Sequence, residues 1–240
     1  MRTLIIGASD GIGRALARRL VKSGGSVALA SRESDRLTAL ADELDSPAFV
    51  CDARRFEDLE RVVKEAKEAL GGLDAAVSCV GSIIVSPAQR IDQATFEELM
   101  ATNVTSAFGL IRAAVPALGR GGSVALVSSC AATIGLPAHE AIGAAKAAVE
   151  GLVRSAAASN ARKGIRVNAV APGLVETKLA SRFLGNDRLR KASEQRHPLG
   201  RVGRPEDVAG ALAFLIDPDN SWITGQVLGV DGGLASLKPV

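Results

Sequence analysis

Tyrosine is absent from the 240 residues, and the chain holds one tryptophan, two histidines and three cysteines. The cysteines (Cys51, Cys79, Cys130) are odd in number and form no C-x-x-C pair. That pattern argues against a disulfide framework and against a Cys/His metal site, and favours a reducing, cytoplasmic setting. A strong charge of one sign is missing too: 29 Lys and Arg face 26 Asp and Glu, a formal net charge of +3. Nucleic-acid recognition gathers basic residues on one face, so no such partner is expected. Residues 1–6 are mostly apolar apart from Arg2 and Thr3, and Asp10 and Arg14 follow at once and leave no signal-peptide core. The longest uncharged stretch, 121–138, is broken by Gly, Ser and Pro. It reads as a strand plus loop, not a membrane span.

With 47% hydrophobic and 23% charged residues, the chain can bury a real core. Short apolar runs at 3–6, 26–30, 48–51, 75–80, 123–128, 166–170 and 226–230 read as strands covered on both faces. Between them, 12–22, 34–44, 56–70, 96–118, 141–162 and 205–215 carry helical periodicity. Pro205, followed by Glu206 and Asp207, is a good helix start. The alternation predicts one α/β domain over 1–240, a Rossmann-type doubly wound parallel sheet of about seven strands. Residues 177–204 are polar and poorly periodic, which suits an irregular loop. A substrate lid is expected within 174–204.

The first strand runs into Gly7-Ala8-Ser9-Asp10-Gly11-Ile12-Gly13 and then a helix. Gly7 allows the turn, Gly11 removes a Cβ that would block a pyrophosphate, and Gly13 lets helix and strand pack closely. Phosphates would meet the free N–H groups of the helix start, near Ser9 and Ile12. The second strand ends at Ser31-Arg32, where NAD enzymes tend to carry an acid for the ribose. A guanidinium suits a 2′-phosphate, which favours NADP(H) over NAD(H). The alternatives are a solvated Arg32, or Glu33 as the ribose acid. Asp52 is placed to accept from an adenine amino group, or to cap the next helix.

These motifs and those that follow resemble the short-chain dehydrogenase/reductase family across the whole length. Residues 78–81, Ser-Cys-Val-Gly, stand where that family has Asn-Asn-Ala-Gly and keep only Gly81. Asn103 matches the helix asparagine, Ser129 the catalytic serine, and Lys146 the lysine of Tyr-x-x-x-Lys. Pro172, Gly173 and Thr177 match Pro-Gly-x-x-x-Thr, and residues 204–208 and 224–233 match the C-terminal signature. The resemblance implies a nicotinamide cofactor, with Lys146 holding its ribose, and a small carbonyl or alcohol substrate.

The departure falls on the chemistry. Four residues before Lys146 stands Ile142, where the family's proton-donating tyrosine belongs. Losing a positioned general acid typically costs roughly 10²–10⁴-fold, or about 3–5.5 kcal/mol of barrier. His139, nearly two helical turns before Lys146, is a substitute acid or simply a solvated loop residue. Ser129 either serves chemistry or satisfies backbone at a strand end. Cys130 reads as a small apolar filler rather than a nucleophile.

Two functional readings follow. One is an NADP(H)-dependent oxidoreductase whose proton comes from His139 or from water held by Ser129 and Asn103. The other is a catalytically silent cofactor-binding protein, a redox sensor or partner subunit. Non-redox chemistry on the same fold is a third. Ile83, Ile84, Leu136 and Leu174 imply an apolar cleft. Small residues Ala144, Ala147, Ala148 and Gly151 leave room for a partner helix, and the resemblance implies a homo-oligomer, a tetramer with two-fold axes.

Overall fold

Seven short parallel strands form the sheet in the order β3-β2-β1-β4-β5-β6-β7. The structure, a computed structural model, describes residues 1–32 and 35–237. The elements run β1 (Arg2–Ile6), α1 (Gly11–Lys22), β2 (Ser26–Ser31), α2 (Asp35–Leu44), β3 (Ala48–Val50) and α3 (Phe56–Ala69). After β4 (Ala75–Ser78) come α4 (Gln93–Met100), α5 (Ser106–Ala117), β5 (Ser123–Val127) and α6 (Glu140–Asn160). The chain closes with β6 (Arg166–Pro172), α7 (Ser181–Leu184), α8 (Asp187–Arg196), α9 (Pro205–Ile216) and β7 (Val227–Val230).

Apolar runs become strands here because helices cover both faces, so alternate side chains enter two different cores. Leu4 and Ile6 pack with Leu59 and Val62 of α3, Leu110 of α5 and Val149 of α6. Ile5 points the other way, onto Leu16 of α1 and Leu212 of α9. The chain runs outward from β1 to β3, then returns to place β4 on the other side of β1. That reversal opens a crevice beyond the carboxyl ends of β1 and β4, where open α/β sheets bind ligands.

Helix ends follow local chemistry. The Asp92 carboxylate accepts from the Thr95 N–H at 2.8 Å and starts α4 before the expected position at residue 96. At α9, Pro205 sits in the first turn and the Asp207 carboxylate accepts from the Arg204 N–H at 2.7 Å. Arg166, buried at the start of β6, donates to the Leu215, Ile216 and Asp217 carbonyls at 2.6, 3.2 and 3.0 Å. It thereby satisfies the free end of α9 with a cation, the favoured charge at a helix C-terminus.

Two expectations are corrected. Residues 96–118 are not one helix: a π-turn, Ala101–Thr105, separates α4 from α5. Within it the Asn103 amide donates to the Leu99 carbonyl at 2.9 Å, a side chain taking up a helix acceptor. Residues 177–204 are not an irregular loop, because α7 and α8 lie inside them. No residue of α8 is buried, so no apolar stripe marks it, but the Asn186 side chain caps its start by accepting from Leu189 N–H at 2.9 Å. Glu33, and Ser34 as the expected start of α2, lie outside the described residues.

Candidate functional site

The glycines at the end of β1 are required by contact. A Cβ on Gly13 would lie 2.2 Å from the Gly7 carbonyl oxygen, so only glycine lets α1 approach β1 this closely. Gly11 has φ +49°, and a Cβ there would sit 2.9 Å from Thr177 Cγ2 across the crevice. Asp10 caps α1, one carboxylate oxygen accepting from Gly11 N–H at 2.8 Å and the other pairing with Arg36 at 2.7 Å. The first turn of α1, with Ser9 before it and Ile12 within it, thus forms a close glycine turn whose N–H groups beyond Gly11 suit a phosphate.

At the end of β2, Ser31 is buried and its hydroxyl donates to the Arg32 carbonyl at 2.9 Å. Arg32 is exposed. Asp52 is gripped by Arg54, whose Nε and Nη2 donate to its two oxygens at 2.9 and 2.5 Å. That bond, with Arg32 contributing from further away, brings the carboxyl down to about 2. The N-cap of α3 is Arg55, so Asp52 does not cap that helix.

The crevice deepens into a cavity of about 260 Å³ that brings together Ile12, Gly81, Ser129, Ile142, Lys146, Pro172, Gly173 and Thr177. Ser31, Arg32 and Asp52 lie outside it, as expected of an adenosine end. Lys146 is 6% exposed, and its Nζ donates to the Val127 carbonyl at 2.8 Å. Burial alone brings its ammonium down to about 8. Ser129 Oγ accepts from Ala131 N–H at 3.2 Å, leaving the hydroxyl hydrogen free to donate. Gly81 leaves both Lys146 and Asn103 close beside it: a Cβ would fall 3.2 Å from Asn103 Oδ1 and 3.4 Å from Lys146 Nζ.

Asn103 itself stands outside the cavity lining. It is buried, its Nδ2 donates to Ser82 Oγ at 3.0 Å, and its Oδ1 accepts from Ser82 N–H at 3.3 Å. Its side chain holds the 81–82 turn rather than reaching into the cavity. Ile142 is 3% exposed and packs with Leu99, Ala141, Ile84 and Ile91. His139, the N-cap of α6, lines the cavity, and its Nδ1–H donates to the Pro137 carbonyl at 2.7 Å. Burial pushes the thiols up, Cys79 to about 12 and Cys130 to about 11, which leaves neither a nucleophile.

Sequence reasoning passed over three features. His197 is buried, donates from Nδ1 to the Ser193 carbonyl at 2.8 Å and accepts from Leu174 N–H at 3.2 Å. Its one signal was Gly173, where a Cβ would strike His197 Nε2 at 2.6 Å. Glu150, buried one turn beyond Lys146, accepts from Ser128 Oγ at 2.9 Å. Across the cavity mouth Arg182 donates to the Ile83 carbonyl and Arg190 pairs with Glu176. Among the described residues no carboxylate lines the cavity, whose only permanent cation besides Lys146 is Arg196.

Residues 7–235 match the sequence family described as Enoyl-(Acyl carrier protein) reductase. A glucose 1-dehydrogenase of Gluconobacter oxydans is 37% identical over 242 residues, 97% of this chain and 91% of that one. The human dehydrogenase/reductase SDR family member 2, mitochondrial, is 35% identical over 236 residues, 95% and 84% of the two chains. A solved short-chain type dehydrogenase/reductase from Mycobacterium ulcerans has a TM-score of 0.91 at 30% identity, covering 97% and 89%. The structure of an actinorhodin polyketide ketoreductase with NADPH has a TM-score of 0.92 at 29% identity, covering 98% and 97%. The chain belongs to the short-chain dehydrogenase/reductase family of oxidoreductases.

Proposed function

We propose that the protein is an NADP(H)-dependent reductase of small carbonyl compounds, or the dehydrogenase of the corresponding alcohols, with a proton donor other than tyrosine. The observation that carries this reading is one cavity holding Ser129 and Lys146 beside a close glycine turn with no room for a Cβ at Gly13. Gly7, Ser9, Gly11, Ile12 and Gly13 hold the cofactor's pyrophosphate, with Thr177 opposite. Gly81, Pro172 and Gly173 line the nicotinamide end. Ser31 and Arg32 take the 2′-phosphate, which sets NADP(H) before NAD(H), and Asp52 keeps a lone pair for the adenine amine. When bound, the cofactor supplies or accepts the hydride.

Lys146 holds the nicotinamide ribose, Ser129 donates a hydrogen bond to the substrate oxygen, and Asn103 fixes the 81–82 turn. Ile83, Leu136, Ile142, Leu174 and Phe183 make the substrate walls apolar, so an apolar ketone or aldehyde fits better than a sugar. The lid is the segment 174–204. Unpaired thiols at all three cysteines suit a reducing, cytoplasmic setting. The partners are small molecules and further copies of this chain, in a homotetramer.

A second reading, a silent NADP(H)-binding sensor or partner subunit, is favoured by one observation: Ile142 belongs to its own apolar cluster. A reductase screen with NADPH against diverse ketones and aldehydes, run beside Ile142→Tyr, separates the two. The expected result is measurable wild-type turnover, raised at least tenfold in the variant, whose phenol would stand one turn from Lys146. Overpacking at this buried position costs about 1–3 kcal/mol of stability, so folding and NADPH binding are measured first. A folded, NADPH-binding variant that gains nothing, beside an inert wild type, puts the sensor reading ahead.

A further inference from the structure

We infer that Lys146 is the proton donor to the substrate oxygen, taking over the step that a tyrosine performs in relatives that have one. The inference rests on the reductase reading above and narrows it to one atom, Lys146 Nζ. Besides the hydroxyls of Ser82, Thr177 and Ser193, which are weak acids, the hydrogen-bonding groups that line the cavity are few, and each can be followed to its partner. The Ser128 hydroxyl is spent on Glu150 at 2.9 Å. His197 has both ring nitrogens engaged, with Ser193 and Leu174. Arg196 carries a guanidinium, which does not release a proton in proteins. The Cys79 and Cys130 thiols are held by burial in their protonated form, as poor acids.

Ser129 has a hydrogen to share, but its neighbours are the Ala131 N–H and the Cys130 thiol, a poor acid, so no strong side-chain acid stands behind it. His139 in its neutral form has its one N–H on the Pro137 carbonyl at 2.7 Å, which leaves no hydrogen for a substrate oxygen. What remains is Lys146. Its ammonium carries three hydrogens, of which one is used on Val127. It lies beside Gly81, in the same cavity as Ser129 and one turn from Ile142. No carboxylate shares that cavity among the described residues, so no ion pair there holds the proton on the nitrogen, and the Val127 carbonyl engages only one of its hydrogens. Its burial has the same effect, bringing the group near the pH at which a general acid works best.

The step balances simply. As the carbonyl carbon receives its hydride from the reduced nicotinamide, the Nζ–H bond breaks and an O–H bond forms. Lys146 is left as a neutral amine and regains a proton from solvent. Oxidation of the alcohol runs the same path backwards and needs the neutral amine first.

Three measurements on the full chain test this. Lysine-resolved NMR of the protein without cofactor should show Lys146 titrating near 8. The kcat for reduction should fall tenfold per pH unit above that point, while kcat for oxidation should rise up to it. Lys146→Arg keeps the charge and the N–H groups but cannot release a proton. It should bind NADPH within about fivefold of the wild type, yet lose roughly 100-fold in kcat. A Lys146 that titrates as an ordinary lysine, a reduction rate flat to pH 9.5, or Lys146→Arg keeping a tenth of the activity overturns the assignment. So does a His139→Gln variant that abolishes turnover. If Lys146→Arg fails to bind NADPH, the NMR titration and the wild-type pH profile still decide. Absence of turnover on every carbonyl tested counts against the reductase reading itself, whereas the NMR titration speaks to Lys146 alone.

Discussion

Arg32 has no side-chain hydrogen bond or ion pair among the described residues, while nearby Arg36 and Arg54 are taken up by Asp10 and by Asp52 and Glu98. A free guanidinium at the end of β2 is what a 2′-phosphate needs, since both partners then gain charge-assisted bonds without breaking any. NADPH should bind the wild type at least tenfold tighter than NADH, about 1.4 kcal/mol. Arg32→Ala should erase that difference by weakening NADPH alone. Titration calorimetry giving equal affinities in the wild type, or an unchanged preference in the variant, defeats the assignment. Single residues were legible where few side chains can do the job. Gly13 is readable because any Cβ would collide with the Gly7 carbonyl. Asp52 was ambiguous because a carboxylate has many uses, and its partner Arg54 is fixed only once the loop folds. Asn103 was expected in the cavity and stands behind it, since sequence spacing does not say which way an amide turns.

Elements were legible in proportion to how much apolar surface they bury. The strands β1, β2, β4, β5 and β6 and the helices α1, α3, α6 and α9 show it plainly, with ends within a few residues of those expected, whereas the edge strands β3 and β7 were legible from β-branched and apolar composition alone. The π-turn did not show, because Ala101 to Thr105 continues a helical pattern and only the Asn103 amide marks the break. The helices α7 and α8 did not show either, since they are held by polar contacts. His197 is the buried one of these, tying the end of α8 to Leu174 just after β6. His197→Ala leaves a buried N–H and a carbonyl unsatisfied, a loss of about 1–3 kcal/mol each at most. It should raise amide hydrogen exchange across residues 174–197 and raise KM, with protection of β1, β4 and β5 unchanged. Unaltered exchange in that segment would mean that other contacts, such as Arg182 with Ile83, hold it alone.

Among the large apolar side chains exposed in the described residues, the aromatics fall in two places. On α4 and α5, Phe96 and Phe108 are 41% and 48% exposed, with the Phe108 ring 5.8 Å from that of Phe56 on α3. At the β7 edge of the sheet, Trp222 is 99% exposed and Phe214 46%. Large aromatics left in water in two places suit two different self-contacts, and two independent two-fold contacts build a tetramer. Light scattering at micromolar concentration should therefore give four times the 24.7 kDa chain mass. A monomer removes the proposal. The strand order has a further consequence, in time rather than space. Thr3 pairs with Val27 on one side but with Ala75 on the other, so the crevice needs closure of a loop far longer than any hairpin. Such closure carries a larger entropic cost than local pairing. A chain that has formed only β1, β2 and β3 already has its glycine turn but no Gly81, no Ser129 and no Lys146 facing it. The phosphate end of the site can thus exist early, while its chemistry waits for the last distant segments to arrive.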